Sequence, residues 1–243
     1  MPSSILIRGT EGPQGIPGVV GPTGPTGPAG SSGLQANSSF FTTNGTWTCP
    51  ADVTKVWVSM VGGGGGGGNG YTDANSGTVY YAGGGGSGFY VVNYQLTVVP
   101  GTPYAITIGG GGPPNVYYQH PQPNTPGGTT SFGVLLSILG GQPGESAFGS
   151  PSGYYVTEGG IGGICGQPGS RTYDETGLYL RTTKGCGGSS PFGKGGLSYV
   201  AGYLGYGTTD PIAPTGYGAG GYGGYGSNGA GSSGTSGCLL IFY

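Results

Sequence analysis

Three stretches of the chain alternate apolar and polar residues with the period of two that a half-buried strand requires. In the first, Val56, Val58 and Met60 fall on one face, and Lys55, Trp57 and Ser59 on the other. In the second, 89–99, the alternation puts Tyr90, Val92, Tyr94, Leu96 and Val98 on one face. The sequence Pro100-Gly101-Thr102-Pro103 then reads as a turn. It leads to the third, where Tyr104, Ile106 and Ile108 share a face. Shorter apolar runs at 131–139 and 238–243 read as further strands. No window keeps a 3.6-residue period, and the helix formers Glu and Lys are scarce. The pattern predicts an all-β domain of five to eight short strands in a β-sandwich or jelly-roll-like fold, with the terminal strand buried.

Glycine tracts separate these strands, at 62–68, 83–88, 109–112, 159–166, 185–188 and 216–237. They read either as loose loops or as extended polyglycine helices packed side by side. In the second case neighbouring backbones, approaching closely without Cβ atoms, supply the hydrogen bonds that side chains cannot.

A different glycine pattern precedes the strands. Gly9, Gly12, Gly15, Gly18, Gly21, Gly24, Gly27, Gly30 and Gly33 occupy every third position, with Pro interspersed, and the period stops at Ala36. Only glycine fits at the axis of three polyproline-like chains, so strict period three predicts a collagen triple helix roughly 80 Å long. A triple helix needs three chains, so a homotrimer is expected. The chain is thus read as a short N-terminal attachment segment (1–8), a collagen-like stalk (9–35) and a glycine-rich all-β head (36–243).

Composition sharpens this picture. Of 243 residues, 64 are Gly and 20 Pro, yet 34% are apolar and 12% aromatic, enough for a core. Only 6% are charged, well below the usual share, so the surface must consist of Gly, Ser, Thr, Asn and Tyr. A net charge of −2 gives no electrostatic case for nucleic acid or an anionic membrane. Residues 1–10 lack the basic start and apolar core of a signal peptide, and no stretch approaches a membrane span. Cys49, Cys165, Cys186 and Cys238 match no metal or redox spacing. They read as buried free thiols, with a Cys165–Cys186 bridge as the alternative.

Catalytic chemistry finds little support. The single histidine, His120, lies in a Pro-rich stretch, with no motif setting it beside a nucleophile. Asp174 and Glu175 are close together, as a glycosidase pair must be, but Arg171, Arg181 and Lys184 share their stretch. A solvated hairpin with local charge pairs is the better reading. The glycine run at 62–68 lacks the Lys-Ser/Thr that ends a phosphate loop. No enzyme, cofactor or metal is expected.

The nineteen tyrosines are more informative. Many stand in doublets between strands: Tyr80-Tyr81, Tyr117-Tyr118 and Tyr154-Tyr155. Tyrosine offers a large amphipathic contact at low entropic cost, and Gly, Ser and Asn add adaptable hydrogen bonds, the chemistry of antibody loops. Candidate receptor-contact residues are Tyr117, Tyr118 and His120 in one segment and Tyr217, Tyr222 and Tyr225 in another. The same rings could instead pack over glycine backbones and hold the segments still.

The order of these features resembles a known family. The aromatic strand, the sequence Gly45-Thr46-Trp47-Thr48-Cys49-Pro50-Ala51-Asp52-Val53, the alternating strand and the polyglycine run are similar to the opening of the glycine-rich domain of bacteriophage tail-fibre and adhesin proteins. The likeness continues through 83–112, with its Pro-Gly turn and Tyr-x-Ile-x-Ile-Gly strand, then 127–133 and 236–243. A collagen-like stalk before a β head is also similar to other viral spikes. The resemblance implies a trimeric fibre or spike of the virion, assembled in the host cytoplasm. Its N-terminus would meet another virion protein, and its head would bind a host cell-surface receptor, a glycan or an outer-membrane protein. A purely structural fibre is the alternative. So short a segment before the stalk leaves open which virion structure the fibre joins.

Overall fold

The computed structural model describes residues 9, 12–18, 37–72, 79–80, 82–114, 125–147, 170–173, 179–183, 185–197, 200–201, 211–224 and 229–243. The chain divides into two units, 1–35 and 36–243. In the first, the described glycines Gly9, Gly12, Gly15 and Gly18 are exposed. All further structure described below belongs to the second.

This head is all-β, with no helix among its described residues. Its strands are β1 (Ser38–Phe41), β2 (Gly45–Thr48), β3 (Lys55–Val61), β4 (Tyr71–Thr72), β5 (Val79–Tyr80), β6 (Tyr90–Thr97), β7 (Pro103–Thr107) and β8 (Thr130–Phe132). They continue with β9 (Leu136–Ile138), β10 (Ser170–Tyr173), β11 (Tyr179–Thr183), β12 (Gly193–Lys194), β13 (Val200–Ala201), β14 (Thr215–Gly216) and β15 (Cys238–Phe242). Eight of them build two four-stranded antiparallel sheets, ordered β1-β15-β3-β6 and β2-β7-β8-β9. The rest form small ribbons, more pieces than the alternation predicts because two-residue pairings leave no hydrophobic pattern. The hairpin expected around 170–184 is present as β10 and β11.

The two large sheets share one core. Val56, Val58, Met60, Leu239 and Ile241 come from the first, and Trp47, Tyr104, Ile106 and Phe132 from the second. Trp47 sits among rings, 5.7 Å from Phe132, 6.0 Å from Tyr104 and 5.3 Å from Tyr243 between centroids. The tilted and edge-on geometries are those favoured by aromatic quadrupoles. The alternation read in β3 and β7 is largely reproduced, with Val56, Val58, Met60, Tyr104 and Ile106 buried and Lys55 and Trp57 outward; Ser59, read on the outward face, is buried, where its hydroxyl accepts from the Asn93 amide. The terminal strand is buried as expected, between β1 and β3.

In β6 the single apolar face is not what forms. The register against β3 shifts between Val58 and Met60, leaving Val92 and Asn93 opposite Ser59. Asn93 takes φ 51°, and its N–H donates to Ser59 Oγ at 2.9 Å. This bulge, one extra residue on one strand, reverses the facing of what precedes it. Val91 therefore packs against the core, and Tyr90 and Val92 are exposed; after the bulge Leu96 packs inward as read, while Tyr94, opposite Val58, is exposed at the sheet edge. The turn at 100–103 forms as read, with Gly101 at φ 72°, where a side chain would be strained.

Candidate functional site

The glycine tracts continue the strands of both sheets. Tract 62–70 leaves β3, and 82–88 returns to β6. Tract 109–114 leaves β7, and 125–129 returns to β8. Tract 139–147 leaves β9, and 229–237 returns to β15. A further tract, 218–224, follows β14. They are packed, not loose.

Tract 62–70 is buried and in contact with six others, and its neighbours repeat every third residue. A Cβ on Gly62, Gly65 or Gly68 would collide with the carbonyl of Leu139, Gln142 or Glu145 respectively. On Gly63 or Gly66 it would strike Gly110 or Pro113, and on Gly64 or Gly67, Ala219 or Tyr222. A period of three is that of the extended polyproline-type helix, which makes no hydrogen bonds within itself. The bonds run sideways instead. Gly62, Gly65 and Gly68 donate N–H to the carbonyls of Phe89, Gly86 and Gly83 at 2.8–3.0 Å. Gly64, Gly67 and Gly70 donate to Thr235, Ser232 and Gly229 at 2.9–3.1 Å, and Gly63 to Gly128 at 2.9 Å. In return, the carbonyls of Gly63, Gly66 and Asn69 accept from Gly141, Gly144 and Ala147, and those of Gly65 and Gly68 from Gly221 and Gly224. Gly64 accepts from Gly112. Glycine is demanded here because any side chain would part the backbones that satisfy one another.

Residues other than glycine in the tracts act as pins. Asn69 is buried; its N–H donates to Ser146 Oγ at 3.0 Å, and its Oδ1 accepts from the Gly231 N–H at 3.0 Å. Ser232 Oγ accepts from the Tyr222 N–H at 2.9 Å, and Thr235 Oγ1 from the Ala219 N–H at 2.8 Å. Reading the sequence as glycine tracts missed these side chains. Their signal was a lone polar residue interrupting a glycine run.

The register also levels the tract ends. Gly68 faces Glu145, Gly66 faces Pro113 and Gly67 faces Tyr222, so the outgoing tracts end together, at the end of the bundle away from the sheets. The returning tracts start there: Gly68 bonds to Gly83, Gly70 to Gly229, and Gly185 to Ala82. Connecting segments 71–81, 115–124, 148–184 and 225–228 therefore depart from and return to one end of the head. Lys194, with Ser189, Ser190, Phe192 and Thr215, lines a shallow open depression near β12 and β14.

Of the candidate contact residues, Tyr117, Tyr118, His120 and Tyr225 lie outside the described residues, as do Asp174 and Glu175. Tyr217 and Tyr222 are described, and they do not lie together. Tyr217 packs edge-on against Phe40 of β1, 5.6 Å between centroids, at the sheet end of the bundle. Its N–H donates to the Phe192 carbonyl at 3.0 Å. Tyr222 lies level with Gly67, and five residues at about 3.1 Å each put it roughly 15 Å further along the tract. Among the described residues, no group of three or more His, Cys, Asp and Glu is gathered. Cys49 and Cys238 are buried free thiols, whereas Cys186, read as buried, is half-buried. Burial pushes the Cys238 thiol up to about 12. Burial, with the Asp52 carboxylate adding to it, raises that of Cys49. Cys165 lies outside the described residues.

A family model described as a glycine-rich domain matches residues 37–243, the span of both sheets and the whole bundle. No curated protein matches the chain.

Proposed function

The chain belongs to the glycine-rich domain family, and from that premise we propose that it is the subunit of a homotrimeric virion fibre or spike of the bacteriophage tail-fibre kind. Residues 9–35 form its collagen-like stalk, and the N-terminal segment joins it to another virion protein. The head attaches to a host cell-surface receptor, most suitably a neutral glycan. The observation that carries this reading is the common end of the bundle. Four outgoing tracts finish level with one another, so the segments between them depart from one end of the head, the end we assign to the cell. Those segments hold most of the tyrosines, including Tyr80-Tyr81, Tyr117-Tyr118, Tyr154-Tyr155 and Tyr225, among Gly, Ser and Asn. Stacking and hydrogen bonding to sugars suit that composition better than ion pairing does.

The stalk reading has its own support. A Cβ added at Gly9, Gly12, Gly15 or Gly18 would meet nothing within 4 Å in the single chain. The chain's own packing thus gives no reason for glycine at these positions, whereas the axis of a triple helix does.

The test compares attachment to host cells by the full chain and by two variants, Tyr117→Ala with Tyr118→Ala, and Tyr222→Ala with Tyr225→Ala. Weaker attachment with unchanged melting supports the reading. Unchanged attachment in both pairs leaves a structural fibre, and a joint fall in attachment and melting makes the rings packing residues.

A further inference from the structure

On the outer face of the β1-β15-β3-β6 sheet, Val61 and Cys238 are fully buried at the end where Gly218 packs on Val61, and Ser59 is buried beside Asn93; beyond them apolar side chains are exposed. The register sets Phe40, Leu240, Ser59 and Val92 in one row across the four strands, and Ser38, Phe242, Trp57 and Gln95 in the next. Phe40 is 54% exposed, Val92 53%, Trp57 39% and Tyr90 38%. Leu240 and Phe242 are partly buried. Large exposed apolar side chains gathered on one sheet face mark an interaction site. Most of the aromatic core faces the opposite way, so these rings are not needed to hold the sheets together.

We propose that this face is where the heads of three copies of the chain pack on one another. The proposal rests on the trimeric reading above. What commits it to a second copy is the chain that leads into the sheet. The last triplet glycine, Gly33, is followed by only 34–37 before β1 begins at Ser38. Five residue steps reach at most roughly 18 Å. Three chains leaving one triple helix must therefore start their β1 strands close to a common axis. β1 is an edge strand, and Phe40 on its outward side begins the apolar row. Among the described residues of the face, charge appears only at its margin, in Lys55, so like faces meet without burying repelling groups.

The chain carries two tryptophans, and only Trp57 lies on the face; Trp47 is in the core. Trp57 therefore reports on the interface. The experiment uses the full chain, with sedimentation to give its mass and acrylamide quenching to give Trp57 exposure. Phe40→Glu with Val92→Glu is the test variant, and Val134→Glu, in the exposed β8–β9 turn, is the control. The expected result is a wild-type trimer with Trp57 shielded. The test variant should show severalfold stronger quenching and a lower melting temperature, and the control neither. Continued protection of the Cys238 thiol from alkylation shows that the variant head is folded. A wild-type chain that sediments as a monomer overturns the trimeric reading itself. A wild-type trimer whose Trp57 is as readily quenched as in the test variant leaves that reading standing and overturns the assignment of the face.

Discussion

Gly65 lies so close to the carbonyl oxygen of Gln142 that a Cβ at residue 65 would stand less than 3.0 Å from it. Gly110, in a neighbouring tract, has nothing within 4 Å of the same point. Gly65→Ala must therefore push two backbones apart and strain the bonds of Gly65 to Gly86 and Gly221. A loss of about 3 kcal/mol or more is expected. Gly110→Ala should be neutral or stabilise by up to about 1 kcal/mol, through the unfolded chain. Denaturant unfolding of both variants checks the pair, and equal effects would argue against a packed bundle.

Asn69 predicts a more local loss. Asn69→Ala leaves the buried Gly231 N–H without its acceptor, a cost of about 1–3 kcal/mol. Asn69→Asp keeps an acceptor oxygen but buries a charge, so it should destabilise as well, and more at pH 7 than at pH 4. Thermal melts at the two pH values measure this.

The Cys238 thiol gives the head an alkaline weakness. Its proton is held to about 12 in the folded state against an ordinary value of 9.0. The folded state binds that proton more tightly, so the contribution is complete below pH 9. It is lost as pH rises from there towards 12, by up to roughly 1.4 kcal/mol per pH unit. Cys238→Ala should flatten that part of the stability profile relative to wild type. An unchanged profile would show that other groups set it.

Removing residues 239–243 should abolish the soluble head. Leu239 and Ile241 are fully buried, and β15 lies between β1 and β3. Its loss opens two strand edges and empties part of the core. A truncated chain that remains soluble and melts like wild type would contradict the sheet order.

Much of this fold was legible in the sequence, for identifiable reasons. Val56, Val58 and Met60, like Tyr104 and Ile106, announce their inward face because alternation is undisturbed there. The facing of Tyr90 and Val92 in β6 was misread, though that of Leu96 was not, because nothing in Tyr90-Val91-Val92-Asn93 marks the bulge; it depends on Ser59, 34 residues earlier, receiving the Asn93 amide. The packing of the glycine tracts was one of two open readings. Polyglycine has no side chains to encode which tract lies beside which, and the register becomes visible only through the backbone bonds. For the same reason Tyr217 and Tyr222 read as neighbours, whereas an extended tract holds them apart.

The central claim is that the head meets the cell with the far end of its glycine bundle. The most direct measurement places a bulky polyethylene glycol chain at one end or the other, on Thr125→Cys beside the tract ends or on Val134→Cys in the β8–β9 turn. Both positions are exposed, and Val134 is 99% so; Cys49 and Cys238 are buried from the reagent, and Cys165→Ser with the half-buried Cys186→Ser is the background of both labelled chains. The account predicts that the label at 125 blocks attachment of the full chain to host cells and that the label at 134 leaves it intact. Equal attachment with either label, or loss only with the label at 134, would contradict it.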